Sequence, residues 1–125
     1  MIGFVDFNKL PKYYQLADLF INFTKRQNGY DLTMLQALAC STPVIASQIG
    51  SHPTVVDDPK LGILIAWKKP DELSKVLNDF LDGKIVFNPL ELRHKLLKKF
   101  SLDQMIDKHI KLYGNILNNS KNKNG

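Results

Sequence analysis

The chain has 125 residues, of which 44% are hydrophobic and 23% charged. Those values suit a single soluble globular domain with its own core, and they exclude a multidomain assembly and a disordered tract. No apolar run approaches the ~18 residues of a spanning helix, and no basic segment leads into an apolar one at the N-terminus, so a cytoplasmic location is expected. The net charge of +5 is concentrated in the second half.

In chain order, Ile2–Val5 reads as a short buried strand. Asn8 can cap a helix that runs through Leu10, Tyr13, Tyr14 and Leu16 to Ala17, with Pro11 in its first turn. Asp18–Phe23 reads as a strand covered on both faces, as in a parallel sheet. A helix over Asp31–Ala39 delivers through Pro43 into a strand at Val44–Ala46. The loop Gln48–Pro53, with Gly50, leads to a turn of helix at Thr54–Val56. Asp57-Asp58-Pro59 is turn chemistry, and Gly62–Trp67 is the last strand.

Pro70 followed by Asp71 and Glu72 opens an amphipathic helix with Leu73, Val76, Leu77, Phe80 and Leu81 at helical spacing and Gly83 as its stop. From there the pattern is all helical. One helix is expected over Pro89–Phe100. A second begins where Ser101 and Gln104 form a capping box, with Leu102, Met105, Ile106, Ile110, Tyr113 and Leu117 as its stripe. Residues 1–117 form the domain, and 118–125 are too polar to bury anything and are expected to be a disordered tail. The fold class is α/β, a partial Rossmann-like parallel sheet of about four strands with C-terminal helices.

Single residues carry less. Cys40 cannot form an internal disulfide and reads as a packed helix end. His52 sits in the Gly50-Ser51 loop, where it could touch a sugar or phosphate but reads first as a solvated loop histidine, and His94 and His109 read as surface residues; no pair has metal-ligand spacing. Lys95, Lys98, Lys99, Lys108 and Lys111 make a basic helical surface, read as a solvated face ahead of an anionic membrane surface. Fifteen of the seventeen basic residues are Lys, which argues against base reading in nucleic acid.

The segment Asn28–Ser47 carries the chemistry. A loop that feeds a helix after a parallel strand presents free N–H groups and a positive dipole end to an anion, so the start of the helix at Asp31 is a candidate diphosphate site. Asp31 reads first as a stabilising N-cap, which would set its own carboxylate beside that anion.

This segment resembles the donor-sugar region of the retaining glycosyltransferases of the two-Rossmann-domain type, family 4 or group 1. There, two Glu residues separated by seven others flank the helix; here Asn28 and Gln36 stand in their places. The aromatic Tyr30, apolar Leu32, the Ala-Leu-Ala-Cys run and the Thr-Pro-Val turn keep the frame. Asp31 and Ser41 replace glycines usual in the family, Ser51 replaces the second of two glycines, Thr54 replaces a further Glu, and the spacing from Thr24 to Asn28 is one residue longer. The resemblance covers Ile2 to about Leu117 and corresponds to the later half of one Rossmann domain.

The resemblance implies a nucleotide-activated sugar as substrate, no metal and no other cofactor. It assigns the catalytic position to Asn28 and donor binding to Gly29, Tyr30, Asp31, Leu32, Gln36, Gly50 and Ser51. With both Glu positions replaced and only part of a donor domain recognisable, it implies a truncated transferase that is inactive alone. The rival readings are a non-catalytic module that pairs with itself or with a fuller glycosyltransferase, and a fragment of a split gene.

Overall fold

The computed structural model describes residues 3–25 and 29–121, with only the backbone for the last two of these. Its centre is a parallel three-stranded sheet in the order β1 (Phe20–Asn22), β2 (Val44–Ser47), β3 (Gly62–Ile65). Phe20 pairs with Val44, and Val44 in turn with Gly62; at the other end Ser47 pairs with Ile65. Every residue of β2 is buried, as a central parallel strand requires.

Successive side chains of a strand point to opposite faces. On one face Val44 and Ala46 join Met34, Ala37 and Leu38 of α2 (Leu32–Ala39) and Leu92 and Leu96 of α5 (Pro89–Phe100), with Val55, Val56 and Leu61 closing the cluster. Ile45 and Ile65 are buried outside that cluster. Fully burying a Leu, Ile or Met side chain contributes roughly 1.5–3 kcal/mol, so the α2–β2–α5 cluster carries most of the stability.

Four further helices and a 3-10 turn complete the described residues. A single 3-10 turn, Phe7–Lys9, leads into α1 (Leu10–Leu16). The short α3 (His52–Val55) follows β2. Helix α4 (Pro70–Leu81) follows β3, and α6 (Leu102–Lys121) follows α5, with the Ser101 hydroxyl accepting from the Gln104 N–H at 3.3 Å as the capping box requires.

Several expectations change. The sheet has three strands among the described residues, not about four: Gly3–Val5 is irregular, Phe4 is 98% exposed, and no strand is there to pair with it. The strand expected over Asp18–Phe23 shrinks to three residues, because β1 is an edge with a ladder on one side only. The cap of the first turn is Asp6, whose carboxylate accepts from the Asn8 N–H. Leu81 lies off the half-buried stripe of α4 and is exposed. Helix α6 reaches Lys121, four residues into the segment expected to be a disordered tail; the rest of that segment lies outside the described residues.

The lysines of α5 are not merely solvated. Lys95 pairs with Asp58, and Lys99 pairs with Asp57 while donating to the Thr54 carbonyl at 2.6 Å. Lys60 pairs back to Glu91. The hydrogen bond from Lys95, followed by the backbone N–H of Lys60, holds the Asp58 carboxyl below its ordinary range. These contacts fasten α5 to the loop between α3 and β3.

Two backbone positions set limits on side chains. Helix α2 ends in a Schellman motif, with Ser41 N–H donating to Leu38 and Thr42 N–H to Ala37, both at 3.0 Å. Its left-handed residue is Ser41, at φ 69°, where a glycine is usual in the resembling family. At Gly62 a Cβ would stand 2.0 Å from the Val44 carbonyl oxygen, inside the β2–β3 ladder. Ser41→Gly should therefore raise stability by about 1 kcal/mol. Gly62→Ala should lower it by at least ~2 kcal/mol by forcing the ladder apart. Urea denaturation of both variants checks the opposite signs.

Candidate functional site

The carboxyl ends of β1 and β2 open toward the start of α2, and a chain of polar contacts joins them. Ser47, the last residue of β2, is fully buried; its hydroxyl donates to the Thr24 carbonyl at 2.7 Å and accepts from the Thr24 N–H at 3.3 Å. This holds the loop leaving β1 against β2. Beyond the strand ends, Phe23 packs on Trp67 with ring centroids 5.6 Å apart.

Asp31 caps α2. One carboxylate oxygen, Oδ1, accepts from the Thr33 N–H at 3.1 Å and from the Thr33 hydroxyl; the other, Oδ2, accepts from the Asn22 amide at the end of β1. His52 Nε2 lies 4.0 Å from Oδ2, and the His52 ring is buried, with Nδ1 2.7 Å from the Ser47 carbonyl. Burial pushes the Asp31 carboxyl up. The hydrogen bonds from Thr33 and Asn22 and the nearby His52 outweigh it and hold the group below its ordinary range. The helix end is thus occupied by its own carboxylate.

The expected donor-binding residues fall into two groups. Gly29, Asp31, Gly50 and Ser51 lie around the strand ends, with the Ser51 hydroxyl donating to the Gly29 carbonyl and Gly50 in a left-handed turn at φ 56°. Tyr30 is drawn aside by an edge contact with Phe100, at 6.0 Å between centroids, and Leu32 is exposed. Asn28 lies outside the described residues.

Gln36 is elsewhere. Five residues along a helix turn the side chain by ~140°, away from Asp31. Its amide oxygen accepts from the Tyr14 hydroxyl at 3.0 Å. Both side chains line an apolar cavity of about 190 Å³ with Leu10, Pro11, Ala39 and Cys40. Burial, then the Cys40 thiol and the Asp31 carboxylate, push the Tyr14 hydroxyl above its ordinary value, which keeps it a donor to Gln36. Cys40 is half-buried at the cavity edge rather than packed away.

The family model for glycosyl transferases group 1 matches residues 1–83. The chain belongs to that family. It is 31% identical over 79 residues to D-inositol 3-phosphate glycosyltransferase 2 of Catenulispora acidiphila, a match covering 63% of this chain and 18% of that protein. An uncharacterized glycosyltransferase of Methanocaldococcus jannaschii is 25% identical over 116 residues, covering 90% of this chain and 29% of its own.

Among solved structures, a glycosyltransferase from Rickettsia africae superposes with a TM-score of 0.74 at 20% identity, covering 90% of this chain and 30% of that one. Sucrose-phosphate synthase from Thermosynechococcus elongatus gives a TM-score of 0.68 at 22% identity, covering 93% and 29%. These likenesses establish the fold as part of a Rossmann-like glycosyltransferase domain. The chain spans less than a third of the length of each of these four proteins.

Sequence reasoning left out Ser47 and Asn22 as members of the site, and it preferred a solvated His52 in the Gly50 loop, whereas the ring is buried. No helix among the described residues is long and apolar enough to cross a membrane.

Because the Asp31 carboxyl is held below its unfolded value, its contribution to stability is complete above the unfolded value and is lost as pH falls through the folded one. Asp31→Ala should cost about 1 kcal/mol at neutral pH through the lost cap. That cost should shrink on acidification below about pH 4. Denaturation of wild type and variant along a pH series checks the sign.

Proposed function

We propose that the chain forms the nucleoside-binding side of a retaining glycosyltransferase donor site and does not transfer sugar by itself. The observation that carries the reading is the Asp31 carboxylate on the N-terminus of α2, hydrogen-bonded by Thr33 and Asn22. A carboxylate there opposes a diphosphate. The nucleoside has a separate place, the apolar cavity beside Gln36, where a ribose hydroxyl can share the amide with Tyr14 and a base can lie on Leu10, Pro11 and Ala39.

The same residues argue against transfer. Asn28 and Gln36 stand at the two Glu positions of the family, and a neutral amide lacks the charge that stabilises a developing oxocarbenium-like centre; losing one such group commonly costs ~3 kcal/mol. A panel of UDP-, GDP- and ADP-sugars with mixed acceptors should give no transfer. In calorimetry, Asp31→Gly should tighten binding of UDP or GDP and leave the free nucleoside nearly unchanged. Sugar transfer that disappears on Gln36→Ala overturns the reading, as does equal diphosphate affinity in the two proteins.

One observation favours a second reading, a module that pairs with itself or with a fuller glycosyltransferase. Along α6, Leu102, Ile106, Ile110, Tyr113 and Leu117 form a stripe in which every member is at least 43% exposed. A stripe of that length is a place for another surface. On this reading, light scattering over a concentration series shows a dimer that Ile110→Lys dissolves. A monomer at every concentration removes self-pairing.

A further inference from the structure

Trp67 is the only tryptophan of the chain, and it lies two residues past the end of β3. Phe23 lies one residue past the end of β1. Adjacent strands of a sheet run about 5 Å apart, so β1 and β3, on either side of β2, are separated by about 10 Å. The two rings close that gap across the end of β2, with centroids 5.6 Å apart and planes at 30°, near the offset stacking that aromatic pairs prefer. Phe23 is half-buried, while Trp67 is 36% exposed. The indole is held in place by the phenyl ring and still open to solvent.

The next residue adds a cation at a position that suits no side chain. Lys68 stands at φ 72°, in the left-handed region where a Cβ is strained and glycine is not. It is exposed, and its ammonium makes no ion pair among the described residues, whereas Lys69 beside it pairs with Glu72 at 3.7 Å. Asp71, the other acid in the first turn of α4, answers the dipole of that helix. A strained backbone persists where the side chain it carries is used.

An open indole beside a free ammonium suits a ligand that has an apolar face and an anionic group. A pyranose phosphate has both. The C–H bonds on one side of the sugar ring lie against an aromatic plane while the hydroxyls at its rim stay in water, and the phosphate meets the compact charge of a lysine on its flexible stem. We propose that Phe23, Trp67 and Lys68 form a binding site for a phosphorylated sugar, with the ring stacked on Trp67 and the phosphate on Lys68. The site lies at the carboxyl edge of the sheet and shares no residue with the Gln36 cavity or the Asp31 cap. It stands or falls apart from the nucleoside reading.

Because Trp67 is the only tryptophan, its fluorescence reports the site without a label. The full chain is titrated at constant ionic strength with glucose 6-phosphate and galactose 6-phosphate, with the two parent sugars, and with inorganic phosphate. At least one sugar phosphate should change the emission saturably, with its parent sugar about fivefold weaker for want of one exposed ion pair, and inorganic phosphate should leave the emission unchanged. Lys68→Gly should lower the affinity for the sugar phosphate to that of the parent sugar. Because glycine fits the left-handed turn, the same variant should unfold at a higher urea concentration than wild type.

Weaker binding joined to greater stability separates a lost contact from a damaged fold. In Trp67→Ala, saturation-transfer NMR should lose the transfer to the ring protons of the sugar that wild type gives. No saturable change with either sugar phosphate overturns the site. So does inorganic phosphate that matches the sugar phosphate, which leaves a bare anion contact, and so does an affinity that is unchanged in Lys68→Gly.

Discussion

Strand β2 is the element around which the rest is arranged. Its four residues are buried, its two edges are bonded to β1 and β3, and Val44 and Ala46 feed the core shared with α2 and α5. Nothing with a Cβ fits at Gly62, where β3 closes on the Val44 carbonyl. Because β2 is held so closely, its last residue is a fixed point: Ser47 ties the loop from β1 through Thr24 and receives His52 from α3. The candidate site is a consequence of where β2 stops.

That geometry puts two different environments along α2. At the start, Asp31 meets Asn22 and His52, so the helix dipole is answered by an internal carboxylate before any ligand arrives. In the middle, Gln36 and Tyr14 face an apolar cavity with a single polar pair at its wall. A charged group and a largely apolar one are thereby separated by the turn of a single short helix. On the proposed reading, the phosphate end is under electrostatic control and the nucleoside end under shape control.

Local signals were legible in the sequence and non-local ones were not. The caps of α2 and α6, the bounds of α4 and the buried run of β2 follow from neighbours within a few residues, and Pro70, Asp31 and Ser101 announced them. Ile2–Val5 has the composition of a strand, but a strand exists only by pairing, and pairing is not written in four residues. Lys95 and Lys99 have the pattern of a solvated face, yet Asp57 and Asp58, about forty residues earlier, meet them once α5 packs on α2. His52 read as a loop residue because its partner Asp31 is distant in the chain. Ser41 is the reverse case: a replaced glycine, visible in sequence, marks the left-handed end of α2.

The central claim is that nucleoside and diphosphate recognition occupy different parts of α2, with Asp31 guarding the second. An amide chemical-shift titration with free uridine and guanosine tests it most directly, because it reads each backbone position separately. The account predicts shifts at Tyr14, Gln36 and Cys40 for one of the two nucleosides, with the signals of Thr33 and His52 left in place. Shifts centred on Thr33 and His52 while Gln36 stays still would contradict it.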